Sequence, residues 1–213
     1  MAEERTAPLV VYVVDDDASI RDSLSLMLGL GGYSTRLYAD AESFLVAFDS
    51  QWSGCVVADL RLPGLSGVEL QARVRQRGSA IPFVIITAHG DVPAARAAFR
   101  AQAVDFLEKP FDDSQLRNAI DTAFALERER IEGREAGRAD TEKLGRLTSR
   151  EREVLHHAVR GLHAKEIAAA LGISSRTVEV HKTRIMEKLE VRNIAELVRF
   201  AVVAERPNGG ATK

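Results

Sequence analysis

The sequence predicts an α/β chain: a doubly wound, five-stranded parallel sheet followed by a small all-α domain of four helices. Three observations carry that prediction. Over residues 9–108 short β-branched runs alternate with amphipathic segments, the pattern of successive strand-helix-strand units. The runs at 10–14, 55–58 and 83–87 are apolar rather than alternating, as strands covered on both faces are. From residue 147 onward strand patterns stop and helical periodicities take over.

In chain order, "LVVYVV" (9–14) is the first strand and 18–30 the helix after it, with Asp17 placed to favour the helix N-terminus. "STRLY" precedes a helix over 41–48, "CVVADL" one over 67–77, "PFVIIT" one over 92–101, and "AVDFLE" one from 113 to about 130. The stretch between 127 and 141 is charged, contains glycine and has no apolar periodicity beyond Leu126 and Ile131. It reads as a linker that continues the fifth helix for a turn or two. Helical patterns then follow at 149–159, 164–171, 175–189 and 193–204, and "PNGGATK" reads as a frayed tail. The domains are therefore expected at 1–127 and 144–206, with a part-helical linker over 128–143 and a flexible tail over 207–213.

With 213 residues, 46% of them hydrophobic, two domains are a better expectation than one. A single cysteine, Cys55, forms no intramolecular disulfide, and the five histidines show no Cys/His spacing of a zinc site. "MAEERTAPLV" lacks the apolar core of a signal peptide, and no run approaches the roughly 20 apolar residues of a membrane span. A soluble, cytoplasmic protein with no membrane partner is the expectation. The net charge of −2 conceals an acidic front, −7 over residues 1–127, and a basic back, +4 over 141–206. Such a split suggests different partners for the two halves, although ordinary solvated surface can carry so modest a difference.

In a doubly wound sheet, ligands gather at the carboxyl ends of the strands, where the strand order reverses. Those ends carry Asp15 and Asp16 after the first strand, Asp59 after the third, Thr87 after the fourth and Lys109 after the fifth. Carboxylates about 4 Å apart repel by ~4 kcal/mol per pair at an effective dielectric near 20. A cation must offset that, and Mg²⁺ is the natural one, because it takes hard oxygen ligands and readily bridges carboxylate to phosphate.

Taken together, "VVDDD", "ADLRLPGLSG", "ITAHGD" and "DFLEKPF", in order and at strand ends, resemble the receiver domain of two-component response regulators, over residues 8 to about 126. The resemblance implies a flavodoxin-like fold in which Asp59 takes a phosphoryl group from a phosphohistidine on a sensor histidine kinase. It also implies a Mg²⁺ held by Asp15, Asp16, Asp59 and the main-chain carbonyl of Arg61. Lys109 would pair with one phosphoryl oxygen and Thr87 would donate its hydroxyl to another. A cis bond between Lys109 and Pro110 is implied too. Phe106 matches the aromatic switch position that turns inward when Thr87 moves onto the phosphoryl group, with core packing as the alternative. His89, Trp52 and Cys55 read as loop or packing residues. Such a domain is no conventional enzyme: it catalyses only its own Mg²⁺-dependent phosphorylation and dephosphorylation.

In the basic half, "LTSREREVL" opens with a capping box, Thr148 with Glu151 three residues on. "GLHAKEIAAALGISSRTVEVHKTRIMEKL" then reads as a helix, a turn at Gly172, a serine cap at Ser174 and a second helix, a helix-turn-helix. Ile167, Ala168, Leu171, Val178, Ile185 and Leu189 face a shared core. The other face of the second helix offers Arg176, Thr177, Glu179, Val180, Lys182, Thr183 and Arg184, chemistry suited to phosphates and base edges in a major groove, although a solvated face would look alike. "LTSREREVL", "KEIAAALGIS" and "RTVEVHKTRIMEKL" are similar to the LuxR-type DNA-binding domain over 145–204.

The whole chain is thus identified as a member of the NarL/FixJ family, with its likeness to FixJ-type members in "AHGDVP" and "RTVEVH". The resemblance assigns Glu179, Val180 and Thr183 to base reading, and Lys165, Arg176, Thr177 and Lys182 to the backbone of double-stranded DNA. His181 matches a family histidine that packs as much as it contacts phosphate. Two departures are Ala88, where glycine is usual, and His163-Ala164, where an amide side chain is common. Ile194, Leu197, Val198 and Ala201 form a final apolar stripe, which either completes the core or meets a second copy on DNA. The implied function is transcription regulation: phosphorylation at Asp59 promotes homodimerisation, DNA binding and engagement of RNA polymerase.

Two other classes remain in view. Aspartyl-phosphate phosphohydrolases also set a nucleophilic Asp beyond a parallel strand, but they carry a second acid two residues later, where Arg61 stands here. A DNA-binding protein whose first domain is no longer phosphorylated would not need the full acidic set.

Overall fold

The computed structural model describes residues 9–88, 92–193, 196–197 and 200. Two compact units divide the chain, residues 1–131 and 132–213.

The first unit holds five parallel strands, β1 (Val10–Val14), β2 (Ser34–Tyr38), β3 (Gly54–Asp59), β4 (Phe83–Thr87) and β5 (Asp105–Glu108), in the order β2-β1-β3-β4-β5. Helices α1 (Ala18–Leu30), α2 (Ala41–Ala47), α3 (Gly67–Gln76) and α4 (Val92–Arg100) connect them, and α5 (Asp113–Gly145) follows β5. Because successive strand residues point to opposite faces, the apolar runs feed two cores. Val11, Val13, Cys55, Val57, Val84 and Ile86 pack against α1 and α5 through Leu24, Leu28, Leu116, Ile120 and Phe124. Tyr12, Val14, Val56, Ala58, Phe83 and Ile85 pack on the other side with Phe44 of α2, Leu70 and Val74 of α3, and Ala98 of α4. The central strands β3 and β4 are buried along their whole length. From β1 the chain passes first to β2 on one side and then to β3 on the other, so the order reverses between β1 and β3. In doubly wound sheets ligands bind at such a point, at the carboxyl ends of the strands.

The helices start where the sequence places their caps. Asp17 accepts the Ser19 N–H at 2.8 Å to begin α1, and Asp40 accepts that of Ser43 at 2.6 Å to begin α2. Ser66 and Glu69 close a reciprocal capping box on α3.

The expected linker over 128–143 is corrected: α5 runs as one helix of 33 residues through that whole segment to Gly145. Absent apolar periodicity reports absent burial, not absent helix. Glu, Arg and Ala all favour helix, and pairs such as Glu127 with Arg130 and Glu142 with Arg146 add local support, enough to carry the two interior glycines.

In the second unit, α6 (Ser149–Val159), α7 (Ala164–Leu171) and α8 (Ser175–Leu189) enclose a core of Leu147, Val154, Leu155, Ala158, Ile167, Ala168, Val178, Ile185, Leu189 and Leu197. Thr148 and Glu151 form the predicted capping box. Gly172 ends α7 in the left-handed region at φ 66°, and Ser174 then accepts the Thr177 N–H at 3.0 Å to start α8. Of the fourth expected helix, residues 196, 197 and 200 are helical, with Leu197 fully buried; Ile194, Val198 and Ala201 lie outside the described residues.

No helix among the described residues is long and apolar enough to cross a membrane.

Candidate functional site

Asp15 directly follows β1 and Asp59 ends β3, the two strands between which the strand order reverses. Both are nearly inaccessible, at 1% and 7% exposure. Each divides its two oxygens in the same way. Asp15 accepts the Asp17 N–H on Oδ1 at 2.9 Å, and Asp59 accepts the Arg61 N–H on Oδ2 at 2.6 Å. The other oxygen of each, Asp15 Oδ2 and Asp59 Oδ1, receives the Lys109 ammonium, at 2.8 Å in both cases. Two buried carboxylates thus share one cation and carry an excess negative charge in a setting that strengthens electrostatic forces.

Lys109 reaches this point from the end of β5. Its N–H donates to the Thr87 carbonyl at 2.7 Å, and its bond to Pro110 is cis. Burial opposes its charge, but the hydrogen bonds and attraction from Asp15 and Asp59 outweigh that and hold its pKa above the ordinary lysine value. The side chain keeps 16% exposure, so the ammonium lies under the surface rather than sealed beneath it.

Gly67 makes the approach of α3 possible. Its N–H donates to the Leu60 carbonyl at 3.0 Å, and a Cβ there would stand 2.5 Å from the Asp59 carbonyl oxygen. Any larger residue would push α3 off the end of β3.

The other predicted site residues are distributed less tightly. Thr87 is fully buried at the end of β4. Asp16 is exposed, and its side chain does not join the shared ammonium. Arg61 is exposed, and its amide rather than its carbonyl contacts Asp59. Phe106 is half-buried against the core on the α2–α4 side of the sheet. His89 lies outside the described residues. Sequence reasoning missed Arg21, whose guanidinium donates to the Asp15 carbonyl at 2.7 Å. Its position one turn into α1 after the acidic triplet was the available signal.

A hard divalent ion fits this donor set in kind. Two carboxylate oxygens already converge on a cation, the Lys109 ammonium, and a third carboxylate adjoins them in sequence. Among the described residues, however, no three His, Cys, Asp or Glu side chains stand close enough to hold a metal by themselves.

In the second unit, the α8 face predicted for DNA is solvent-facing at Arg176, Glu179, Val180, Thr183 and Arg184, with Lys165 exposed on α7. Val180 is 44% exposed, high for a β-branched aliphatic residue. Three members are already engaged. Thr183 donates its hydroxyl to the Glu179 carbonyl at 3.1 Å, Thr177 shares a hydroxyl hydrogen bond of 2.8 Å with Ser174, and Lys182 reaches Glu179 at 3.3 Å with its own side chain largely covered. His181 turns inward: its Nδ1 is buried with no hydrogen-bond partner among the described residues, in keeping with packing.

The second unit also holds a buried carboxylate that sequence reasoning took only as a cap. Glu151 Oε2 accepts from the Thr148 N–H at 2.8 Å, the Thr148 hydroxyl at 3.0 Å and the Lys188 ammonium at 2.7 Å. Burial would raise its pKa, yet these partners together hold it down at about 2.

Comparison with known proteins divides the chain along the same lines. The response regulator receiver domain family matches residues 11–121, and the luxR family of bacterial regulatory proteins matches 145–201. The transcriptional regulatory protein FixJ of Bradyrhizobium diazoefficiens is 41% identical over 194 residues, 91% of this chain and 95% of the relative. Among solved structures, the response regulator StyR superposes with a TM-score of 0.80 at 41% identity, covering 92% of this chain and 99% of that one. Full-length FixJ from B. japonicum gives a TM-score of 0.57 at 40% identity, covering 93% and 98%.

Proposed function

This chain belongs to the two-component response regulators that join a receiver domain to a LuxR-type DNA-binding domain, and from that premise we propose that phosphorylation of Asp59 controls how it binds DNA. The observation that carries the proposal is the single Lys109 ammonium set 2.8 Å from both Asp15 and Asp59 at the strand-order reversal.

An Asp59 oxygen attacks the phosphorus of a sensor kinase phosphohistidine, the P–N bond breaks, and the imidazole departs with its electron pair. Lys109 then moves from carboxylate to phosphoryl oxygen, keeping its charge, which its raised pKa favours. Thr87 supplies a hydroxyl donor to the same group. Asp15, Asp16, Asp59 and the Arg61 carbonyl would hold a Mg²⁺, which supplies positive charge against the incoming dianion. Arg61, standing two residues after Asp59, leaves no acid there to protonate a leaving group, which favours a phospho-accepting regulator over a phosphohydrolase acting on small esters.

In the output domain, Glu179, Val180 and Thr183 face base edges while Lys165, Arg176, Thr177 and Lys182 serve backbone positions, with Arg184 on the same DNA-facing side. Phosphorylation promotes pairing of two receivers, with Phe106 and Thr87 as the switch, and two recognition helices then meet a two-fold site. A DNA-bound pair so placed in the cytoplasm would engage RNA polymerase. The expected boundaries are a receiver over 1–127 and a DNA-binding domain over 144–206.

The test is sizing and DNA-shift measurement with acetyl phosphate and Mg²⁺. The parent chain should gain mass in complex and DNA affinity. If Asp59→Asn gains as much, the proposal fails.

A further inference from the structure

Helix α5 is buried through Leu116, Ala119, Ile120, Ala123 and Phe124, the spacing of one helix face. The next member of that face is not apolar. It is Glu127, a carboxylate with 0% exposure. Both its oxygens are occupied: Arg130, one turn on, donates Nε to Oε2 and Nη2 to Oε1, each at 2.6 Å, and the Gly54 N–H donates to Oε1 at 3.3 Å. Gly54 begins β3 at φ 141°, a conformation open to glycine, and a Cβ there would lie 1.9 Å from the Val10 carbonyl oxygen. The backbone that receives Glu127 is therefore pressed against β1 and has no slack. This junction is at the amino end of β3, whereas Asp59 is at its carboxyl end. Beyond Glu127, no residue of α5 is buried as far as Gly145.

An apolar stripe holds a helix without fixing it in detail, because burial is non-directional and small rotations or slides keep most of the area covered. A bidentate guanidinium-carboxylate pair tied to a main-chain N–H has one geometry. Such a pair gives little or no stability over a well-packed aliphatic side chain, since removing both charges from water offsets their attraction. Its contribution is register. Residues 128–145 extend the helix by ~27 Å, so a 10° error in tilt at the junction displaces the far end by about 5 Å.

We propose that Glu127, held by Arg130 and Gly54, is a register pin: a positioning residue that fixes the setting of α5 where it leaves the receiver, so that a change at Asp59 is passed on as a defined displacement. The proposal rests on the phosphorylation-controlled reading above.

The test uses the full chain and DNA selected by the parent from a random pool. Phosphoryl uptake from acetyl phosphate with Mg²⁺, thermal midpoint, and the ratio of DNA affinities with and without phosphodonor are measured for Glu127→Leu and Glu127→Gln. The expected result is uptake at the parent rate in both, with that ratio reduced about tenfold. Either single change leaves Arg130 unpaired and lowers the thermal midpoint, whereas the double variant Glu127→Leu with Arg130→Met removes both charges and should keep it, which separates register from stability. If that variant does not fold, the glutamine variant, which keeps the shape without the ion pair, gives the same reading. A parent that responds to phosphodonor alongside variants that respond equally overturns the pin alone. A parent whose DNA affinity ignores phosphodonor overturns the phosphorylation reading and the pin with it.

Discussion

Each half of this protein buries an acid against a lysine, and the two arrangements balance charge differently. In the DNA-binding half, Glu151 has one ammonium to itself, from Lys188, together with two donors from Thr148, all on Oε2. In the receiver, Asp15 and Asp59 divide one ammonium between them and receive a single backbone N–H each. The first carboxylate is fully compensated, and the Lys188 ammonium with the two Thr148 donors holds its pKa down at about 2 against burial. The second pair is under-compensated by one charge and so attracts further positive charge. Burial and a lysine partner are common to both halves, and the ratio of charges is what differs; on the proposed function it is the under-compensated pair that takes the phosphoryl group.

The largest effect that would break this contrast is at Asp59. Asp59→Asn should lower phosphoryl uptake from acetyl phosphate by ~10³-fold or more, read by intact mass, because the amide is no nucleophile. Glu151→Gln should leave uptake unchanged. Uptake lost in the second and kept in the first would erase the distinction.

Next comes stability. Glu151→Gln should cost the DNA-binding unit on the order of 2 kcal/mol in urea unfolding followed by helical circular dichroism, since it removes the buried charge that the partly exposed Lys188 ammonium and two Thr148 donors satisfy. The sign with pH follows from a carboxyl depressed to about 2 from an ordinary 4.5. Its stabilisation is complete above the unfolded value and disappears as the pH falls from about 4.5 toward 2. The parent's unfolding free energy should slope through that window, and the glutamine variant's should be flatter. Equal slopes would mean that Glu151 is not the group responsible.

Magnesium should sharpen the contrast from the other side. At a hundredfold excess over its dissociation constant, the ion should stabilise the receiver by about 2.7 kcal/mol and the DNA-binding unit not at all, with the gain reversed by EDTA and absent in Asp15→Asn. A matching gain in the second unit would show ordinary salt stabilisation.

Smaller effects are expected where charge meets solvent. Glu179→Ala should relax base preference at one position by about 1–3 kcal/mol in selection from a random DNA pool. Lys165→Ala should weaken all sequences alike by ~1 kcal/mol and reduce the salt slope by about one. A sequence-dependent loss from Lys165→Ala would move it from the backbone to the bases.

Much of this was legible in the sequence, and for a definite reason. Apolar runs in β3 and β4 mark strands buried on both faces, the Thr148 and Glu151 pair marks a helix start, and Gly172 with Ser174 marks a turn, because each is a local requirement met by residues close together in the chain. The aspartates at strand ends were visible for the same reason: topology alone brings such ends together. The long reach of α5 was not legible, since an exposed helix leaves no apolar period to read.

What the sequence alone determined, then, was the inventory: which elements form, where they begin, and which acids, hydroxyl and lysine stand at their ends. Tertiary structure decided the pairings. That Lys109 serves Asp15 and Asp59 at once, across 94 and 50 residues, that Lys188 neutralises Glu151 across 37, and that Glu127 meets Gly54 across 73 depend on packing between distant segments. Periodicity and capping follow from the backbone within a few residues, whereas the charge that a carboxylate feels is set by whatever the fold brings to within about 3 Å of it.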